Sequence, residues 1–448
     1  MSRKYDVIVV GAGPAGLLAA RAAGENGLNV ALLEKKTDPT RRTRSCGETI
    51  GSMNEYYFGN ITGFNARDKR IFFSSDGFSF KYDGTYQYIY GARLYVPSGH
   101  KVVIGDLEEQ KGKGEYGKVA ISFDKDIMLR CMLEEVKACS VDVFPGVNVQ
   151  KVTCKADSVT VEGSGQSFKG RYLIAADGCN SRVAQLMGMN EGRTYYCNIF
   201  VLSYYMSDME LPEPNVIINI AGFVKERGCS CYIMPHATKE VNNVSLLSAN
   251  PRVDLEEACN HYMTEAFCAP WFKNAKKLRA FSANESCYSP IIEPYKDRVL
   301  IAGDAASTQE LENQGAMISG WKAGQAITTA IQEENLGLEV TAISRYVDWW
   351  KDTYIDYYDQ EGYMKAFTHG LILTKEEEVN YVYGLVKEFL PAAWHPYTLG
   401  RYLRQAMAKI LPTIQQERPD IIKKLQRGGL PITEIYAEVA KLTKPAFK

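Results

Sequence analysis

The chain has 448 residues, a formal net charge of −1 at pH 7 and 46% hydrophobic residues. That length can bury a core large enough for two or three domains, and the near-zero charge gives no global signature of nucleic-acid binding. No apolar run approaches the ~20 residues of a membrane span, and the first strand begins so early that no signal peptide is expected.

The first element is Tyr5-Asp6-Val7-Ile8-Val9-Val10, a short β-branched run that reads as a buried parallel strand. Gly11-Ala12-Gly13-Pro14-Ala15-Gly16 follows at once, and the alanine- and leucine-rich stretch after it reads as a helix. In this pattern Gly11 permits the turn, Gly13 lets the backbone approach a pyrophosphate, and Gly16 lets helix and strand pack closely. The helix N-terminus then offers free N–H groups to the phosphates. Asn29-Val30-Ala31-Leu32-Leu33 is a second strand, and Glu34 at its end is placed to accept from a ribose diol.

Short alternating runs over about 70–110 suggest a small antiparallel excursion, and 127–138 looks helical. Residues 147–152 and 158–161 look like paired strands. Arg171-Tyr172-Leu173-Ile174-Ala175-Ala176 returns as a buried strand carrying Asp177-Gly178. Strands dominate 197–249, a helix is expected over 253–270, and Arg298-Val299-Leu300-Ile301-Ala302 is one more buried strand before Gly303-Asp304-Ala305-Ala306. From about 316 to the end the pattern is helical. The eleven cysteines contain no C-x-x-C pair and end at Cys287, which excludes an iron–sulfur module in the C-terminal third. Their odd number fits reduced thiols in a cytoplasm.

Three glycine-and-acid signatures in this order outline a pocket for FAD. With the spacing between them, they resemble the flavoprotein hydroxylase superfamily of p-hydroxybenzoate hydroxylase-like fold. Arg44-Ser45-Cys46-Gly47-Glu48 narrows the likeness to the geranylgeranyl reductase family, which carries a Cys-Gly-Asp/Glu loop after the second strand. The resemblance covers residues 1 to about 325 and implies an α/β chain. A Rossmann-like FAD-binding domain (1–185 and 290–345) would be joined by an antiparallel-sheet substrate domain (186–289) and a helical C-terminal region (346–448). It places Pro14, Ala15, Lys35, Arg44, Cys46, Gly47 and Val149 along the cofactor, with Asp177 and Gly178 at the second strand end. Asp304 after Gly303 would bond a ribityl hydroxyl, and the helix beginning near Gly315-Ala316-Met317 would aim its N–H groups at the flavin's pyrimidine edge.

The chain departs from the family in three places. The usual arginine three residues before Phe123-Asp124 is Ala120, so Arg41, Arg42 or Arg44 is expected to replace one phosphate contact. The loop after Ala306 has Leu311 and Gln314 where the family has a proline and a glycine run, with Glu310, Glu312 and Asn313 between. The aromatic segment ending in Phe-Pro survives only as Tyr232-Ile233-Met234-Pro235. Cys46 reads either as a thiol that positions substrate or delivers a proton, or as a small side chain packing its loop. Glu48 is an alternative proton source or a solvated loop charge. The five histidines look isolated, and Cys229 with Cys231 looks like core packing.

The resemblance implies an FAD-dependent oxidoreductase reducing carbon–carbon double bonds of a hydrophobic isoprenoid or lipid. The alternatives are an aromatic monooxygenase using NAD(P)H and oxygen, or a flavoprotein passing electrons to quinone. No second nucleotide motif is visible, so an external donor is expected, NAD(P)H or a ferredoxin-like protein. Trp349, Trp350, Tyr354, Tyr357, Tyr358, Tyr363, Phe367, Phe389 and Trp394 could line an apolar pocket or form a packing layer. From residue 398 onward ten Lys or Arg face four Asp or Glu, with Leu399, Leu403, Met407 and Ile410 at helical spacing. Such a helix either packs on the protein's own core or gives a cytoplasmic enzyme a peripheral membrane contact.

Overall fold

The computed structural model describes residues 4–51, 53–306, 312–365, 369–443 and 445. At its centre the strand Lys4–Val10 pairs in parallel with Val30–Glu34 on one side and Gln166–Ala175 on the other. Val141–Pro145 extends the sheet beyond Val30–Glu34, and Val299–Ile301 extends it beyond Leu173-Ile174-Ala175. The earlier half of Gln166–Ala175 pairs antiparallel with Val159–Gly163, which in turn pairs with Val149–Cys154. Parallel pairing has a direct consequence for the three signatures. Val10, Ala175 and Ile301 lie on adjacent strands running the same way, so the segments that follow them all emerge at one carboxyl edge.

Helix Pro14–Glu25 leaves that edge and buries one side against the long helix Glu312–Asn335. Two glycines one turn apart set the distance between them. A Cβ on Gly320 would lie 2.1 Å from the Ala15 carbonyl oxygen, and one on Gly324 would lie 2.5 Å from that of Ala19. The helices therefore touch backbone to backbone, which the alanine-rich first helix makes possible.

The second sheet corrects the expectation of a purely antiparallel substrate domain. Its seven strands run in the order Lys276–Tyr288, Tyr195–Ser207, Val241–Ser248, Arg227–Pro235, Ile217–Val224, Ala92–Tyr95, Lys101–Ile104. Ala92–Tyr95 lies parallel to Ile217–Val224, so the sheet is mixed. The reason is the hairpin Ala92–Tyr95 and Lys101–Ile104, which leaves the 70–110 excursion and docks on the sheet as a unit. Arg70–Phe73 and Ser79–Lys81 form a separate three-stranded antiparallel sheet with Thr62–Asn65, and Tyr86–Ile89 pairs with Ala120–Phe123 in another.

The C-terminal region is helical as expected, except that 385–395 is extended. There the Leu390 N–H donates to Val103 O at 2.9 Å and Leu390 O accepts from Gly105 N at 2.9 Å, covering the edge strand. Helix Pro396–Glu417 turns Leu399, Leu403, Met407 and Ile410 inward against Tyr232, Met234 and Leu390, so its apolar stripe packs on the protein itself. No helix among the described residues is long and apolar enough to cross a membrane. Most of the aromatic residues form a packing layer: Phe58 stacks on Tyr354 with centroids 5.2 Å apart, and Trp350 Nε1 donates to Ile291 O at 2.8 Å. Tyr357 and Phe389 face solvent, and Phe367 lies outside the described residues.

A branched side chain at Gly320 cannot be accommodated without parting the two helices. Gly320→Val should lower stability by about 1–3 kcal/mol, read as a lower urea midpoint at unchanged slope.

Candidate active site

One cavity of about 670 Å³ opens at the carboxyl edge of the parallel sheet and runs beneath the seven-stranded sheet. Its first arm is walled by Gly11, Gly13, Pro14, Ala15, Glu34, Lys35 and Val149. Gly11 has φ +102°, and a Cβ there would lie 2.3 Å from Ala176 O. Gly16 lies behind the wall, where its missing Cβ lets the helix approach Gly11. Gly13 differs from both. Its φ of −79° suits any residue and nothing lies within 4 Å of its would-be Cβ. The glycine keeps space open rather than permitting a turn. Glu34 is buried, with Oε2 accepting from Ala12 N at 2.7 Å and Oε1 from Lys36 N at 2.8 Å. Two backbone donors hold its carboxylate at the rim, with lone pairs left for a hydroxyl pair. An open cradle above Gly13, a helix N-terminus and a fixed carboxylate fit a dinucleotide.

The middle of the cavity is charged. Asp177 accepts from Ser181 Oγ at 2.6 Å, Arg182 N at 2.7 Å and Val183 N at 3.1 Å, capping the short helix Arg182–Leu186. Burial pushes its carboxyl above the usual range. Gly178 passes beside it at φ +84° and lines the cavity. Asp304 also faces the cavity, its pKa pushed up to about 6 by burial and then by Glu285. Gly303, at φ +64°, turns the chain behind it. Of Gly315, Ala316 and Met317, only Ala316 reaches the cavity. Gly315 packs against Tyr57 and Phe58, and Met317 is core.

The loop at 41–49 separates this arm from the next. Cys46 lines the cavity, with its Sγ accepting from Glu48 N at 3.4 Å and lying 3.7 Å from Asn313 Nδ2. Gly47 lies beside it against Met234. Glu48 does neither thing expected of it: it is neither solvated nor part of the cavity wall. Its carboxylate pairs with Arg42 Nη1 at 2.6 Å and accepts from Tyr205 Oη at 2.7 Å and Lys125 N at 3.0 Å. His236, which the sequence leaves isolated, has Nε2 3.8 Å from the same carboxylate, and burial pushes its imidazole below the usual value.

Of the three arginines expected to replace the missing cation, Arg41 is exposed, while Arg42 and Arg44 line the cavity, Arg42 paired with Glu48 and Arg44 donating to Cys179 Sγ at 3.1 Å. The ammonium groups that line the cavity belong to Lys35, Lys36 and Lys125. Lys125 was detectable as the residue after Phe123-Asp124, the first of a helix capped by Asp124. Its Nζ donates to Asn313 Oδ1, and Asn313 Nδ2 donates to Thr49 O at 3.2 Å. Glu312 is a second residue the sequence did not single out for chemistry. Its carboxyl faces the cavity with a pKa pushed up to about 7 by burial, then by Asp304. Glu310 and Leu311 of the same loop lie outside the described residues.

The second arm is apolar, walled by Leu94, Ile217, Met234, Leu399, Leu403 and Trp394. Trp394 lies against Gly51, where a Cβ would stand 1.1 Å from its Cδ1. Among the described side chains of the C-terminal aromatic group, Trp394 reaches the cavity wall.

The FAD binding domain family matches residues 4–310. The digeranylgeranylglycerophospholipid reductase of Methanococcus vannielii is 26% identical over 79% of this chain and 83% of its own. Among solved structures, a geranylgeranyl bacteriochlorophyll reductase-like protein from Thermoplasma acidophilum superposes with a TM-score of 0.64. It is 17% identical, with 95% of this chain and 99% of that one covered. A variant of the halogenase PltM, solved in complex with FAD, shares the fold with a TM-score of 0.62, 12% identity and coverage of 98% and 95%.

Filling the open cradle should separate binding from folding. Gly13→Val is expected to melt like the parent while FAD binding weakens at least tenfold, about 1.4 kcal/mol, by fluorescence titration. Removing one partner of the buried ion pair has the opposite signature. Glu48→Ala should lower stability by about 3–5 kcal/mol in urea unfolding, because Arg42 is left charged and desolvated.

Proposed function

The chain belongs to the FAD binding domain family, and within it to the geranylgeranyl-reductase-like oxidoreductases that depend on FAD. From that premise we propose that its substrate is a hydrophobic isoprenoid or lipid whose isolated carbon–carbon double bonds it reduces. One observation carries this reading: one cavity joins a dinucleotide cradle to an arm walled mainly by Leu94, Ile217, Met234, Trp394, Leu399 and Leu403. The relatives named digeranylgeranylglycerophospholipid reductases support the same substrate class.

FAD held in the cradle would supply hydride chemistry once reduced; the chain's own residues bind, orient and exclude water. Glu34 would accept from a ribose diol, and Lys35 and Lys36 on the cradle wall would offset phosphate charge. The long helix that starts at Glu312 brings its N-terminal potential to the cavity beside Ala316, where it would favour negative charge on a bound flavin. An isolated alkene offers no hydrogen-bonding handle, so Leu94, Ile217, Leu399, Leu403 and Trp394 must hold it by shape. Desolvation by these walls also keeps water from the reacting carbons. Cys46, between the two arms, positions the double bond. Electrons come from an external donor, NAD(P)H or a ferredoxin-like protein.

The test is anaerobic. Photoreduced enzyme mixed with polyprenyl alkenes should return to the oxidised flavin spectrum with saturated product formed. Failure with every alkene, together with rapid NADPH oxidation under air triggered by an aromatic compound, would replace this reading with hydroxylation. Cys46→Ser should keep its FAD and slow alkene-driven reoxidation by about 10- to 100-fold, as expected for a misplaced substrate.

A further inference from the structure

Adding hydrogen across an isolated double bond requires a proton as well as a hydride, delivered inside a water-poor cavity. The donor must line the cavity where its two arms meet, and it must hold a proton at working pH. Most acidic groups in the wall fail one condition. The Glu34 carboxylate is bound by two backbone N–H groups at the far rim, and Asp177 is turned into its own helix cap. Burial drives the Tyr232 and Tyr383 phenols to about 12, too weak to give up a proton readily. The Cys179 thiol, up at about 11, is held by Arg44.

Glu312 meets both conditions. It is cavity-lining, and the next residue, Asn313, has Nδ2 3.7 Å from the Cys46 thiol that lies between the two arms. It therefore stands at the junction. Its neighbour Asn313 is fixed by Lys125 and Thr49, which anchors the helix start. Its backbone has φ +52°, a left-handed conformation uncommon for a side-chain-bearing residue.

We propose that Glu312 is the proton donor of the reaction, giving its carboxyl proton to the alkene carbon opposite the one that receives the hydride. This rests on the alkene-reductase reading. The π bond breaks, and its electron pair forms the new C–H bond with the Glu312 proton. The hydride and its two electrons, drawn ultimately from the external donor, complete the other carbon. Glu312 is left as a carboxylate and recovers a proton from solvent.

The charges that face it set its titration. Asp304 and Glu285 oppose its ionisation, and burial adds to them, while Lys125 favours ionisation and is the weaker influence. Together they hold the group near 7, so donation is strong below that pH and fades above it.

The experiment uses FAD-loaded enzyme in three forms: parent, Glu312→Gln and Glu312→Asp. Infrared spectra should show a protonated-carboxyl band in the parent that shifts in D2O, titrates near pH 7 and is missing from Glu312→Gln. Rapid mixing of photoreduced enzyme with a polyprenyl alkene should give a parent rate that falls through the same pH. Glu312→Gln should be at least about 100-fold slower with no such limb, and Glu312→Asp should recover part of the rate. Equal FAD affinity in all three forms excludes a cofactor defect. If the parent reduces alkenes and Glu312→Gln matches its rate and pH profile, or the band persists in that variant, the proposal is overturned while the reductase reading stands. If no alkene reoxidises the parent, both fall together.

Discussion

A desolvated ion pair holds the two halves of the cavity in register. Arg42 and Glu48 are 3% and 1% exposed, and almost every atom around them is in use. The Arg42 guanidinium lies 3.8 Å over the Phe281 ring, its Nη2 donates to Cys46 O, and its own N–H meets Asp126. Arg279 bridges that aspartate back to Arg42 O. Asn243 Nδ2 donates to Cys46 O at 2.7 Å from the opposite side. These partners belong to helix Lys125–Lys137 and to three strands of the mixed sheet, so the loop is bolted to both lobes at once. A buried pair of this kind need not add net stability, since desolvation offsets much of the attraction. What it does here is fix where the Cys46 thiol points.

The charge pattern of the cavity follows from that arrangement. Lys35 and Lys36 lie toward the cradle, carboxyls and Lys125 gather at the junction, and beyond Cys46 the wall is mainly apolar, with Arg93 paired to Glu213. The same low-dielectric surroundings that raise Asp304 and Glu312 would strengthen any electrostatic interaction with a bound ligand. Polar and apolar chemistry are divided at one short loop.

The sequence made the nucleotide half legible because parallel-strand chemistry is local. A buried β-branched run, a glycine turn and a terminal carboxylate sit within thirty-odd residues, and strand adjacency then follows from the fold. The order of the three signatures anticipated that Val10, Ala175 and Ile301 would share an edge. The mixed sheet was less legible, since Ala92–Tyr95 reads as part of a local hairpin and nothing in its residues names Ile217–Val224 as partner. Glu48 was misread for a similar reason: an acid in a glycine-bearing loop looks solvated until the distant Tyr205 and the nearby Arg42 close over it. Helical spacing of Leu399 and Leu403 was plain, but whether a stripe meets lipid or protein depends on tertiary neighbours. Lys125 could be placed only by the Asp124 cap before it, and Glu312 carries no pattern at all; the cavity singles it out.

The covered edge strand has a consequence for how the molecule is made. Leu390 zips onto Val103 and Gly105, and the same stretch delivers Trp394 to Gly51 before Leu399 and Leu403 follow. The cradle for the nucleotide is complete in strands once Ile301 has emerged from the ribosome. The greasy arm is not, because part of its lining is supplied by Trp394, Leu399 and Leu403, translated much later. Such distant sequence partners fold slowly. A nascent chain can thus hold its nucleotide site before it has any enclosed place for an alkene.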